Sequence, residues 1–210
     1  MIESVYNFFS SIFNNNVILA TILISMLPII EIKGSIPFST SEIIWKDLAI
    51  SNWQALGWSM LGSSIIVIVL TLIFKPLIYQ LKKIKGVKKF GSAIENFILS
   101  KSSDIDKKAS ADKFYYCKKL LFIFMFVALP LPLTGVWTGT CIAVCLNIDY
   151  WTTCFTVISG NIMAGLIITL IIEFVPWLND WLFFIFLGII TLFLLIKLIV
   201  FLIKRKTSKL

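Results

Sequence analysis

Leu27-Pro28-Ile29-Ile30-Glu31-Ile32-Lys33-Gly34-Ser35-Ile36-Pro37 places a carboxylate and an ammonium inside an apolar sequence and brackets them with prolines. The apolar run before them, Val17 to Ile30, covers only about 21 Å at about 1.5 Å per residue, short of a bilayer core about 30 Å thick. Pro and Gly then end the helix and free backbone groups, while the buried charges need a partner, water or a purpose. This reads as a helix stopped inside the membrane, with Glu31, Lys33, Gly34 and Pro37 lining a small polar cavity. The alternative is a loop in which Glu31 and Lys33 reach aqueous solution after a tilted short helix.

Composition sets the medium. Of 210 residues, 59% are hydrophobic and 14% charged, and the mean hydropathy is +0.95. A water-soluble domain of this size could not cover that much apolar surface. The chain therefore reads as an all-α integral membrane protein in a single polytopic domain, 1–210. With no His, no clustered Asp or Glu for a metal, and no Ser set in a nucleophile turn, an enzyme is disfavoured and neither metal nor cofactor is expected. Cys117, Cys141, Cys145 and Cys154 read as small packing residues. The net charge is +8, but Arg205 is the single Arg among nineteen basic residues, which disfavours nucleic-acid recognition.

A second interruption, Pro130-Leu131-Pro132-Leu133-Thr134-Gly135-Val136-Trp137-Thr138-Gly139, divides Leu120–Leu129 from Val136–Leu146. Pro130, Pro132, Thr134, Gly135, Thr138 and Gly139 leave carbonyls and hydroxyls free to coordinate an ion or substrate, or to bond the opposite break. Gly135 and Gly139 also have the four-residue spacing of close helix packing, the role assigned to Gly57, Gly62, Gly160 and Gly165 as well. Three runs are long enough to span: 55–79, 151–175 and 181–203. Residues 1–16 lack the positive start of a signal peptide and offer Tyr6, Phe8, Phe9, Ile12 and Phe13 to an interfacial helix.

Basic residues orient these parts. Eleven Lys against four acidic residues lie in the loop 80–119, and Lys204, Arg205, Lys206 and Lys209 lie in the tail 204–210, so both are expected in the cytoplasm. An even number of crossings must separate them, and the spans 151–175 and 181–203 already make two. Residues 120–146 then form a re-entrant hairpin from the cytoplasm, and residues 17–52 form one from the exterior. The expected architecture is two Pro/Gly-broken re-entrant hairpins plus three full transmembrane helices, inverted-repeat-like. A simple bundle of five to seven helices remains the alternative. Within the loop, Val87, Phe90, Ile94, Phe97 and Ile98 recur at helical spacing beside Lys88 and Lys89. That reads either as an amphipathic helix on the anionic inner leaflet or as a solvated basic linker.

The stretches Glu31–Pro37 and Pro130–Gly139 resemble the two signatures of the bacterial small multi-drug export protein family, over a region from about Val17 to the end of the span 151–175. In architecture that family is similar to the wider DedA-like group. The family usually has Arg where this chain has Lys33 and Gly where it has Leu133, so bidentate recognition is lost and the backbone at Leu133 is expected to avoid positive φ. The resemblance implies a multi-pass exporter of small organic compounds in the bacterial cytoplasmic membrane. The coupling proton is read onto Glu31, with Lys33 as its counter-charge. Two alternatives stand beside it: a flippase for a lipid phosphate such as a polyprenyl phosphate, or for phospholipid, and a non-transporting scaffold. A homodimer is expected because one chain offers little bulk to shield a pathway.

Overall fold

Asn14 and Asn15 both take positive φ, 55° and 60°, and the Asn16 side chain accepts the Leu19 N–H at 2.9 Å. This local chemistry ends α1 (Ile2–Phe13) and caps α2 (Val17–Ser25) in the computed structural model, which describes residues 2–81, 110–131, 133–179 and positions 181, 185, 188 and 191. Six more α-helices follow: α3 (Glu31–Thr40), α4 (Glu42–Trp45), α5 (Asn52–Leu81), α6 (Ser110–Ala128), α7 (Val136–Cys145) and α8 (Tyr150–Phe174). A single 3₁₀ turn, Lys46–Leu48, joins α4 to the α5 side of the chain. The described residues contain helices and no strands.

Among the described residues, two helices are long and apolar enough to cross a membrane, Asn52–Phe74 within α5 and Tyr150–Phe174. The pair Tyr6–Phe13 and Val17–Ser25, bent by 89°, makes up to a third. α5 and α8 run antiparallel, and three polar rungs fix their register. Asn52 donates to Glu173 at 2.6 Å at one end, Asn161 donates to Ser63 at 2.7 Å in the middle, and Cys154 approaches Thr71 at 3.7 Å near the other end.

Both long helices are flanked by short ones, and glycine sets how closely these approach. A Cβ at Gly62 would strike Ser25 and the Ile22 carbonyl of α2, and one at Gly160 would strike the Phe124 carbonyl and Val127 of α6. Gly62 and Gly160 are each the eleventh residue of their spanning segment, so the last turns of α2 and α6 sit at mid-height of α5 and α8. Gly165 gives equally tight passage to Ile32 and Leu56. The core around these crossings is aliphatic. One cluster gathers Val67, Ile123, Val127, Val136 and Val157, and another gathers Ile32, Ile36, Ala55, Leu56 and Ile168. Phe9 and Phe13 of α1 pack on Phe38 and Trp45, leaving Phe8 and Ile12 exposed.

Several sequence expectations change. α6 begins at Ser110, so residues 110–119 are helix rather than loop, and the helix before the second break has 19 residues instead of ten. No Pro or Gly interrupts Ser110–Leu120, and Tyr115, with Lys119 over its ring at 4.4 Å, packs toward the core and carries the helix outward. A Cβ at Gly57 would meet nothing within 4 Å, so that glycine has no packing role. Cys117 is exposed, whereas Cys145 and Cys154 are buried. The Val87–Ile98 amphipathic stretch, most of the span 181–203, the tail and Pro132 lie outside the described residues.

Candidate functional site at the meeting of two helix breaks

The chain leaves α2 through Met26 to Ile30 and leaves α6 through Leu129 to Gly135, and the two breaks meet. Pro28 interrupts the first, and Ile29 and Glu31 take positive φ, 78° and 50°, a conformation side chains with a Cβ adopt only when the surroundings impose it. The turn aims both charges inward. Glu31 is 4% and Lys33 1% exposed, which removes the reading of an ordinary solvated loop.

Each charge grips the second break. The Lys33 ammonium donates to the Leu131 carbonyl at 3.0 Å, the Thr134 carbonyl at 3.0 Å and the Thr134 hydroxyl at 3.1 Å. An ammonium has three N–H donors, and here all three have acceptors. The Glu31 carboxylate accepts the Trp137 backbone N–H at 3.3 Å. Trp137 is the second residue of α7, whose own cap position, Gly135, has no side chain to offer. Glu31 therefore caps α7 from another part of the chain, at the helix end that favours negative charge. A Cβ at Gly135 would fall on the Glu31 carboxylate, so glycine there makes room for the acid. The Trp137 indole completes the junction by donating to the Met26 carbonyl at 3.1 Å.

Other expected site residues take different positions. Gly34 is buried in α3 and donates to the Ile30 carbonyl at 2.9 Å. Pro37 is buried further along α3, where it has no N–H to give the Lys33 carbonyl, and no contact of the junction includes it. Pro130 is half-buried in the break. Thr138 donates to the Leu133 carbonyl at 2.7 Å and to that of Gly135 at 3.2 Å, which closes the turn instead of facing a cavity. Gly139 lies against Val127 as a packing residue.

Leu133 is a correction. Its φ is 72°, although a leucine was expected to avoid that region. The turn dictates the angle, because Thr138 holds the Leu133 carbonyl and Lys33 fixes the oxygens on either side. These bonds offset a left-handed cost of about 1–2 kcal/mol.

Sequence reading alone does not single out Trp137, nor a polar chain deeper in the bundle. Ser35 donates to Ser59 at 2.7 Å, Ser63 donates to the Ser59 carbonyl at 2.7 Å, and Asn161 donates to Ser63. The available signal was an Asn in the centre of an otherwise apolar span, where an amide seeks an interhelical partner.

A family model described as "Putative small multi-drug export protein" matches residues 31–167, from the start of α3 through the second break and into α8. The chain belongs to that family. The small multi-drug export match begins at the capping carboxylate itself and includes both buried charges and the whole second break, but not Met26 to Ile30 of the first. Together with the spanning helices it makes this a multi-pass membrane protein. No curated protein and no solved structure matches the chain.

Proposed function

We propose that the chain is a secondary exporter of small organic compounds, coupled to protons through Glu31. The observation that carries this reading is the double grip of Glu31 and Lys33 on a break about a hundred residues away, at mid-height of the spanning helices. Protonation of Glu31 would release the start of α7, and the Lys33 contacts would then reorganise around substrate.

In this reading α2 with α3, and α6 with α7, are re-entrant hairpins entering from opposite faces. The like placement of Gly62 and Gly160 on antiparallel spans supports inversion between two units, each a hairpin followed by a span. Exposed Trp53, Phe174 and Trp177 near one end of the α5–α8 pair, and exposed Trp151 near the other, suit the two interfaces of a bilayer. The basic stretch 80–119, whose last ten residues are helix, and the tail 204–210 then face the cytoplasm and the anionic inner leaflet of a bacterial plasma membrane.

Proteoliposomes loaded with ethidium and given an imposed pH gradient test the proposal. Gradient-driven efflux above that of empty liposomes is expected, with Glu31→Gln losing the dependence on the gradient. Unchanged pH dependence in Glu31→Gln refutes proton coupling, and the absence of efflux from the parent protein refutes export of this probe.

A second reading, flipping of a lipid phosphate in the manner of DedA-like proteins, is favoured by a groove of about 380 Å³ between α6 and α8, lined by Leu120, Leu121, Phe124 and Phe155. An acyl or prenyl chain suits such a lining. Leaflet exchange of a labelled polyprenyl phosphate distinguishes it from export.

A further inference from the structure

The sequence offers Tyr6, Phe8, Phe9, Ile12 and Phe13 as one apolar side of a short helix, but the structure divides them. Phe9 and Phe13 turn onto the protein, with ring centroids 5.0 Å from Phe38 and 6.4 Å from Trp45. Phe8 and Ile12 turn away from it and are 58% and 55% exposed. Glu3, Asn7 and Ser11 form a third, polar line that is exposed as well. With 3.6 residues per turn, the three lines stand roughly 115° apart around α1. That division suits a helix touching protein, hydrocarbon and water at once. Its place in the fold supplies the same three surroundings. α1 is bent by 89° from α2. The foot of α2 crosses α5 at Gly62, the middle of that spanning segment, and its head, Val17, clusters with Phe38, Ile44 and Trp45, beside Ala49 and Ile50 just before α5. The nine residues of α2 rise about 14 Å, close to half the thickness of a bilayer core, about 15 Å. α1 therefore lies across the open end of the α2–α3 pair, at the level where α5 begins. Exposed Trp53 and Trp177 mark that level as an interface, and Thr40 at the end of α3 donates there to Asn179 at 3.0 Å.

We infer that α1 is an anchor seated in the headgroup layer of the membrane, and that the lipid it takes is a zwitterionic phospholipid. Charge selects the lipid. Interfacial helices that prefer anionic lipid carry Lys or Arg on their polar face. α1 has neither, and with α4 and the 3₁₀ turn it presents Glu3, Glu42 and Asp47 to solvent against Lys46 alone. The Lys46 ammonium already sits over the Tyr6 ring, 4.5 Å from its centroid. This net acidic surface repels an anionic headgroup, whereas the outer ammonium of a zwitterionic one meets carboxylates favourably. What holds α1 down is then the burial of Phe8 and Ile12 in acyl chains, beside the exposed row Leu19, Leu23 and Leu27 of α2. The anchoring does not depend on export.

The test places nitroxide spin labels on single cysteines of the full chain in phosphatidylcholine vesicles. Cys117 and Cys141 are replaced by serine, and the buried Cys145 and Cys154 stay in place. Collisions with oxygen, which concentrates in hydrocarbon, and with a neutral nickel chelate, which stays in water, report the surroundings of each label. Phe8→Cys and Ile12→Cys are expected to favour oxygen, at a depth of about 5–10 Å into the boundary between headgroups and acyl chains. Asn7→Cys and Ser11→Cys should favour nickel, and Leu19→Cys, Leu23→Cys and Leu27→Cys should lie progressively deeper. All seven positions are exposed, so the labels leave the packing intact. Replacing part of the phosphatidylcholine by phosphatidylglycerol should not deepen the Phe8 and Ile12 labels. Nickel preference at all four α1 positions overturns the anchor, because the helix then stands off the membrane. Phe8 and Ile12 labels as deep as that at Leu27 overturn it in favour of a bent span, and labels shielded from both reagents overturn it in favour of a protein partner or a second copy. Seating that requires phosphatidylglycerol overturns the assigned lipid.

Discussion

The ammonium of Lys33 lies 3.1 Å from the hydroxyl of Thr134, although 101 residues separate them. That contact, with the two carbonyl bonds beside it, turns two separately broken helices into one unit. A charge taken out of water needs its hydrogen bonds returned, and the second break supplies them from backbone carbonyls without using another side-chain charge.

Lys33→Met should therefore destabilise the protein by about 3 kcal/mol, because it removes three hydrogen bonds between the breaks and leaves the buried Glu31 without its opposite charge. Thr134→Val should cost about 1 kcal/mol, since the two carbonyl contacts survive. Thermal unfolding in detergent measures both, and equal losses would show that the hydroxyl, rather than the carbonyl pair, holds the ammonium.

Gly135→Ala is expected to be severely destabilising, because its Cβ competes with the Glu31 carboxylate for one position. The same substitution in a Glu31→Ala background should be much milder, with a coupling of about 1–3 kcal/mol between the sites. Additive effects in this double-mutant cycle would mean that the glycine serves the turn and not the acid.

At Leu133 the left-handed backbone separates two substitutions that otherwise seem alike. Leu133→Val should cost about 1–2 kcal/mol, since a β-branched side chain is strained at a φ of 72°, while Leu133→Gly should be neutral or stabilising. Unfolding midpoints decide the order.

Asp149 gives a pH signature outside the membrane. It caps α8, and its carboxyl is held down to about 2, first by the Thr152 N–H, then by the Thr152 side chain and the Tyr116 hydroxyl. Because the folded value lies below the ordinary carboxylate value of about 3.9, its contribution is fully present above that value and lost as pH falls through about 2. Asp149→Ala should lower stability by about 1 kcal/mol at neutral pH through loss of the cap, with Asp149→Asn much milder. Stability curves of Asp149→Ala and the parent should converge at the acid end, and a constant gap down to pH 2 would exclude the linkage.

Some of this organisation could be read in the residues before any coordinates. The ends of α5 and α8 follow from continuous apolar runs. The presence of two breaks follows from Pro and Gly beside Glu31 and Thr134. The start of α6 did not, because Ser110–Lys119 is polar by composition and is drawn into helix by Tyr115 packing on a distant cluster. Nor did the positive φ of Leu133, which is imposed by bonds from Thr138 rather than by its own propensity. The use of every Lys33 donor was equally hidden, since pairing partners a hundred residues apart leave no local pattern.

That same separation governs how the protein is made. At about 5–20 residues per second, Glu31 and Lys33 emerge from the ribosome roughly 5–20 s before Thr134 exists to receive them. Throughout that interval the nascent chain carries two charges without their final partners, so co-translational insertion must shelter the first break in the translocase or in water until the second arrives. A ribosome stalled before Leu131 therefore presents quality control with a half-protein whose defect is two unsatisfied charges, which can be recognised without any unfolding.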